Sequence, residues 1–292
     1  MNASALPFWR RSVSRRLLCI GLAMLPALVV QSWWLDPGLP LRLLVLCAFA
    51  APLALLLERY ARRLSLAQLR PHRGGAASFA LAPQVTPVGV SLLDILIQAA
   101  LLAALWPATV AVWPAAVALV LAWSVQRLLG GWAVNPFPPA LLALAAAVFL
   151  ARALIGADFT PPLLSLIDAG WTTLAWFAMG LGLMLLRLWP ARAPLAFLVP
   201  VALVLAHGGI ASSGFVAAAI VAGFVLADTR QLPATASGQT IVGALAGLAT
   251  AALWFAGAPA VAIAFPLLAV YALVPWIQQH TLPQPPARTP ST

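Results

Sequence analysis

The chain contains no lysine, only two cysteines and only six carboxylate side chains in 292 residues. Charged residues make up 8% of the sequence and hydrophobic residues 63%, which excludes both a soluble globular domain and a disordered chain. All sixteen basic side chains are arginines. Because these arginines form short clusters beside apolar runs, they indicate membrane orientation rather than nucleic-acid binding. The composition is that of a polytopic integral membrane protein.

The scarcity of cysteine excludes a metal centre built from thiolates. Cys19 and Cys47 lie inside apolar runs, far from any CxxC or Cys/His cluster. We therefore expect each to be a small buried hydrophobic residue, and we expect no metal site. The sequence also lacks the glycine-rich dinucleotide-binding fingerprint, so any nicotinamide chemistry would belong to a partner.

Ten apolar runs are candidates for membrane-spanning helices, because a span needs about 20 mainly apolar residues, with roughly 17 as the lower limit. The predicted spans are 17–34, 41–57, 88–106, 109–125, 139–155, 165–186, 193–207, 213–227, 239–256 and 260–277. We expect one all-α polytopic membrane domain over 1–277 and a disordered cytoplasmic tail over 278–292. The spans 193–207 and 213–227 are short, which predicts tilted, broken or partly re-entrant helices there.

The arginines predict the orientation of these spans. If both termini are cytoplasmic, 14 of the 16 arginines lie on the inner side, and only Arg42 and Arg152 lie outside. This predicts a membrane protein whose two termini both face the cytoplasm. Five spans precede the 156–164 loop and five follow it, which allows an inverted 5+5 repeat although the halves share no visible sequence similarity. Tryptophans at the predicted span ends are expected interfacial anchors: Trp33, Trp34, Trp106, Trp113, Trp132, Trp189 and Trp276.

Two polar breaks interrupt the apolar sequence, GGWAVNPFPPA at 130–140 and LADTRQLPATASGQTIVGALAG at 226–247. In lipid, non-helical backbone survives only where protein or a water-filled cavity covers it, so both breaks are site candidates. The alternative is that both are helix-capping loops. Asp94, about two turns into the third span, is a further candidate, because an intramembrane carboxylate is either functional or part of a structural ion pair.

Both breaks resemble motifs of the RnfD/NqrB family, whose members are membrane components of the Rnf electron transport complex and of the sodium-translocating NADH:quinone oxidoreductase. The segment 130–140 resembles GGxGxNPFNPA, and 226–247 resembles ATDPVTxPxTxxGQxIxGALxG; Asn135 and Asp228 are the matching motif positions. The resemblance covers roughly 85–280. It implies ten helices with cytoplasmic termini and a role as one membrane component of a redox-driven, ion-translocating electron transport complex, with the other membrane components as partners.

The resemblance also implies a flavin. The family esterifies one FMN, through its phosphate, to a threonine of an S/T-G-A-T motif in the outer loop after the fifth helix. Thr160 is the matching position here, but Ala157, Asp158 and Phe159 replace the preceding S/T-G-A, and Asp158 would repel a phosphate. Arg152, on the fifth span, would be the phosphate partner. Pairing of Arg152 with Asp158, or an interfacial position, explains this arginine equally well.

Two other functions are compatible with the sequence. In the first, the chain is a small-solute channel or secondary transporter, and the breaks 130–140, 207–214 and 226–239 line its permeation path. In the second, it is a cofactor-free paralogue that only scaffolds an electron transport complex, which the altered residues before Thr160 suggest.

Overall fold

The computed structural model describes residues 6–68, 88–128, 137–156, 166–186, 189–206, 213–226, 232–258 and 261–282. Within these residues the protein is helical and contains no β-strand. They form ten α-helices, which are α1 (Leu6–Trp34), α2 (Leu39–Gln68), α3 (Val88–Leu105), α4 (Trp113–Leu128), α5 (Pro139–Ile155), α6 (Leu166–Leu185), α7 (Arg192–Ala206), α8 (Ser213–Ile220), α9 (Ala236–Phe255) and α10 (Ala264–Thr281). A π-helical segment, Val221–Val225, continues α8. Each predicted span therefore overlaps a helix.

Three helices extend four or more residues beyond the predicted spans, and the first of them, α1, begins at Leu6 rather than at 17. Helix α2 runs to Gln68, so the first part of the loop expected between the second and third predicted spans is helical, because the stretch 58–68 has no glycine or proline and is rich in good helix formers. Helix α10 runs to Thr281 rather than ending at 277, and the Thr281 hydroxyl donates to the Ile277 carbonyl oxygen at 2.9 Å. The rest of the expected loop, the 207–212 break and the tail from 283 lie outside the described residues.

Three helical stretches are long and apolar enough to cross a membrane: Leu17–Trp34, Leu39–Leu56 and Ala236–Phe255. Further apolar helices in the described parts of the chain are shorter, at 10–17 residues. Length and composition therefore identify a helical protein of membrane-like character.

The outer surface carries continuous apolar stripes. On α1 the exposed side chains follow one another at spacings of three or four residues: Leu18, Leu22, Leu25, Val29 and Trp33. On α4 they are Trp113, Val117, Leu121 and Val125. By contrast, neither α3 from Ser91 onward nor the run from Gly214 to Leu226 exposes a side chain, so these two segments form the centre of the bundle. Such an arrangement is typical of a bundle that meets hydrocarbon on its outside.

Packing within the first five helices recurs within the last five. Helix α1 packs on α3, α2 on α4, and α4 on α5; correspondingly, α6 packs on α8, α7 on α9, and α9 on α10. Helix α2 packs on α3, and α7 packs on the π-helical segment after α8. Among the described helices, the main contacts between the halves are made by three pairs, and in each the helices are five apart in order: α1 with α6, α3 with α8, and α5 with α10.

The closest pair, α7 and α9, is brought together by glycines. A Cβ atom on Gly243 would meet the backbone of Ala193, and one on Gly247 would lie 2.5 Å from the carbonyl oxygen of Phe197. Gly243 and Gly247 are spaced as in a GxxxG motif, which lets two helix backbones approach closely. Such close packing drives helix association in lipid, where the hydrophobic effect does not.

Candidate functional site

A buried polar face on α3 is the strongest site candidate in the structure. Ser91, Asp94 and Gln98 are spaced by three and four residues, which places them on one side of the helix. All three are buried; Asp94 is only 1% exposed. Because α3 lies at the centre of the bundle, this face sets a carboxylate, a hydroxyl and a carboxamide inside a mainly apolar interior.

Gln98 joins this polar face to the start of α5. Its Oε1 accepts the backbone N–H of Ala140 at 3.0 Å, and the bond is buried. The two residues before Ala140, Pro138 and Pro139, have no N–H to donate, so Ala140 carries the first backbone donor of the helix. Gln98 thus caps the N-terminal end of α5, where the GGWAVNPFPPA segment also ends. The rest of that segment, including Asn135, lies outside the described residues.

Helix α4 brings further polar groups toward the same end of the bundle. Trp123 and Gln126 are buried near its end, and α4 packs along α5 and also contacts α3. The Gln126 Oε1 atom is buried and has no hydrogen-bond partner among the described residues.

The residues implied for flavin attachment lie at the other end of α5. Arg152 is exposed on the last turn of this helix, which ends at Gly156 in a left-handed conformation with φ of 64°. At about 1.5 Å per residue, the end of α5 is roughly 24 Å from its start beside Gln98. The structure therefore does not bring Arg152 to the polar face of α3. Thr160 lies outside the described residues, so its predicted flavin link is untested.

The described part of the second break caps a helix. Thr235 is the N-cap of α9 and accepts the N–H of Gly238 at 3.2 Å. Its hydroxyl also contacts that of Thr281 at 2.6 Å, and since Thr281 donates to the carbonyl of Ile277, Thr235 is the donor to Thr281. Gln239 donates to the carbonyl of Pro233 at 3.1 Å. These hydrogen bonds stabilise the start of α9 and its contact with the end of α10.

Other predicted candidates are not brought to the α3 face by the described structure. Asp228, the motif position in the second break, lies outside the described residues. Over the described ranges, no group of three or more His, Cys, Asp or Glu side chains is placed to hold a metal ion.

A second buried polar group was not expected from the sequence. Gln31 of α1 donates through Nε2 to the Ala104 carbonyl of α3 at 2.9 Å and accepts the Trp176 indole N–H of α6 at 2.8 Å. Ala104 is near the end of α3, where carbonyls lack intrahelical donors. The only sequence signal was a lone Gln inside an apolar run, and nothing in the sequence pointed to a partner 145 residues away. Gln98 and Gln126 were missed for the same reason.

In comparisons with known proteins, the chain matches no protein-family model and no curated protein.

Proposed function

We propose that all ten helices cross the bacterial inner membrane, with both termini in the cytoplasm. Helix α4 is too short to qualify as a span by length, yet it carries an exposed apolar stripe like that of α1. The central segments α3 and α8 need no such stripe, because other helices surround them. The distribution of arginines supports the orientation. The recurring helix pairs support an inverted repeat of five helices.

The function that this architecture supports best is that of one membrane component in a redox-driven, ion-translocating electron transport complex. The observation that carries the proposal is the buried face of Ser91, Asp94 and Gln98 on the central helix. A carboxylate inside a membrane domain is costly, and such groups mark ion or proton pathways. The motif resemblances, which occur in the same order as in the family, supply the redox part of the proposal.

The ion pathway is tested by Asp94→Asn in the complex that copurifies with the tagged chain, reconstituted into liposomes. We expect the variant to retain electron transfer and lose ion uptake, because the amide keeps the size of the carboxylate but cannot hold its charge. Asp94→Glu is the matched control and should restore part of the uptake. Unchanged coupled uptake in Asp94→Asn would remove Asp94 from the pathway.

The cofactor part of the proposal is FMN linked through its phosphate to Thr160, with Arg152 as the phosphate partner. The tagged chain should be coexpressed with a flavin transferase and examined for flavin fluorescence in a denaturing gel. We expect a fluorescent band in the wild type and none in Thr160→Ala. A wild-type chain without fluorescence would exclude the covalent link and favour the cofactor-free scaffold, while leaving the Asp94 test intact.

A small-solute channel or secondary transporter is the second candidate. The recurring helix pairs and the interrupted α8 favour it, since transporters are often built from inverted repeats with broken helices. Uptake of a small neutral solute into liposomes that contain the chain alone, without any redox dependence, would support this candidate over an electron transport component.

A further inference from the structure

We propose that α1 and α2 each carry a binding surface for an anionic phospholipid. In each surface an exposed apolar stripe contacts an acyl chain, and arginines that continue the stripe bind the phosphate of the headgroup. The proposal rests on α1 and α2 alone, which are two of the three helices that are long and apolar enough to cross a membrane. It is independent of the redox function and of the orientation of the chain.

Both helices continue well past their apolar stretches. The apolar stretch of α1 begins at Leu17, whereas the helix begins at Leu6. The apolar stretch of α2 ends at Leu56, whereas the helix ends at Gln68. Because only the residues 35–38 connect the two helices, they run in opposite directions, and both extensions lie at the same end of the pair. At about 1.5 Å per residue each extension is roughly 17 Å long, which exceeds the depth of a headgroup layer, about 5–7 Å.

The two extensions are strongly basic. They contain seven of the sixteen arginines and one of the six carboxylate side chains, namely Arg10, Arg11, Arg15, Arg16, Arg59, Arg62, Arg63 and Glu58. Among the described helices, none except α1 and α2 carries more than one arginine. The arginine positions begin beside the apolar stretch and end about 10 Å beyond it, so they cover the depth of the headgroup phosphates. Arginine binds phosphate through paired N–H groups, and basic clusters beside a span attract anionic lipids.

On α1 two arginine positions continue the exposed apolar stripe, which begins at Leu18. The same spacing of three or four residues, followed toward the N-terminus, leads to Arg15 and Arg11. With about 100° of turn per residue, both positions lie within roughly 60° of Leu18 around the helix, whereas Arg10 is about 80° away and Arg16 about 160° away. A lipid whose acyl chain lies along this stripe therefore has its phosphate beside the positions of Arg11 and Arg15.

Helix α2 shows the same continuity. Leu55 is exposed near the end of the apolar stretch, and Arg59 and Arg62 follow it at spacings of four and three residues. Arg59 is itself exposed. One line of positions thus passes from the depth of the acyl chains to the depth of the headgroups. This continuity favours a lipid over an acidic soluble protein, because such a protein would contact the arginines but not the leucine.

The opposite end of the helix pair lacks this combination. Trp33 and Trp34 are exposed there, and the only arginine, Arg42, is buried in its ion pair with Asp36. Helix α9, the third helix that is long and apolar enough to cross a membrane, exposes apolar side chains but contains no arginine. An apolar stripe is therefore common on the described surface, whereas a stripe continued by several arginines occurs there only on α1 and α2.

Native mass spectrometry of the purified full chain in detergent micelles, titrated with phosphatidylglycerol or phosphatidylcholine, tests the proposal. We expect the wild type to bind two phosphatidylglycerol molecules at least roughly tenfold more tightly than phosphatidylcholine. The double variant Arg11→Gln with Arg15→Gln should weaken one of these two sites at least roughly tenfold and leave the other unchanged. The matched control is Arg10→Gln with Arg16→Gln, which removes the same charge from the same helix but away from the stripe, and it should keep both sites.

Three outcomes would overturn the proposal. Equal weakening by the two double variants of α1 would show general charge attraction rather than a surface along the stripe. Equal affinity of the wild type for both lipids would leave the extensions as a docking surface for an acidic protein. Arg59→Gln with Arg62→Gln tests the surface on α2 separately, so the question is decided even if an α1 variant does not fold; two tight sites in this variant would also contradict the proposal.

Discussion

Gly243→Ala should destabilise the protein, although alanine is the better helix former. The added Cβ atom would meet the backbone of Ala193, with the carbonyl carbon and the Cα atom each 2.8 Å away. A backbone cannot rotate aside as a side chain can, so α7 and α9 must move apart. This is the most extensive helix–helix contact in the described structure, and the separation would loosen packing along both helices.

The magnitude follows from two opposing effects. Overpacking of a well-packed interior costs about 1–3 kcal/mol. Replacement of glycine by alanine within a helix stabilises the folded state by about 1 kcal/mol, because alanine has the higher helix propensity. Because the obstacle is backbone, the cost should fall in the upper part of its range, which leaves a net loss of about 1–2 kcal/mol.

Gly182→Ala is the matched control for this substitution. Gly182 lies within α6, and a Cβ added there would have no neighbour within 4 Å among the described residues. The same chemical change should therefore stabilise the protein by roughly 0.5–1 kcal/mol. Both variants would be unfolded reversibly in mixed micelles of rising SDS mole fraction, with helix content followed by circular dichroism. Equal stability shifts for the two variants would refute the close crossing of α7 and α9.

Two further substitutions test the buried polar groups, and the same unfolding assay measures both. Gln31→Leu should lower the free energy of unfolding by about 2–4 kcal/mol, because it leaves the Trp176 indole N–H and the Ala104 carbonyl without partners. Addition of Trp176→Phe to this variant should lower it little further, which would confirm that the two side chains act together. Arg42→Leu should lower the free energy of unfolding by roughly 3–5 kcal/mol, because Asp36 loses its buried ion pair. The double variant Arg42→Leu with Asp36→Leu should recover most of this stability, because it leaves no unpaired buried charge. A double variant no more stable than Arg42→Leu would contradict this reasoning.

Helix positions were predictable where local signals were strong. The span 139–155 coincides with α5, since proline suits the first position of a helix and Gly156 supplies the left-handed residue after its end. The ends of α2 and α10 were not predictable from hydropathy, because a helix can leave an apolar layer without losing its backbone hydrogen bonds. Trp106 and Trp189 were predicted as interfacial anchors, but both are buried. Hydropathy indicates that a residue is apolar, not which neighbour covers it.

The candidate site was predictable only in part. Asp94 was identified from the sequence because a carboxylate in an apolar run is rare. No sequence pattern connects Gln98 with Ala140, because their hydrogen bond depends on the packing of α3 against α5. Thr235 lies within the second break, and only the structure shows that it caps α9 by accepting the Gly238 N–H.

By itself, the sequence determined the helical, membrane-like character of the protein and the approximate positions of the ten helices in its described parts, because both depend on the number and order of apolar residues along the chain. Only the tertiary structure decided that α3 and α8 lie at the centre, that Asp94 shares a buried face with Gln98, and that a π turn meets α6 at Gly180. These features depend on which helices are neighbours. A helix formed by an apolar run makes its own backbone hydrogen bonds whichever helices surround it. The sequence of the run therefore carries little information about which helices are its neighbours.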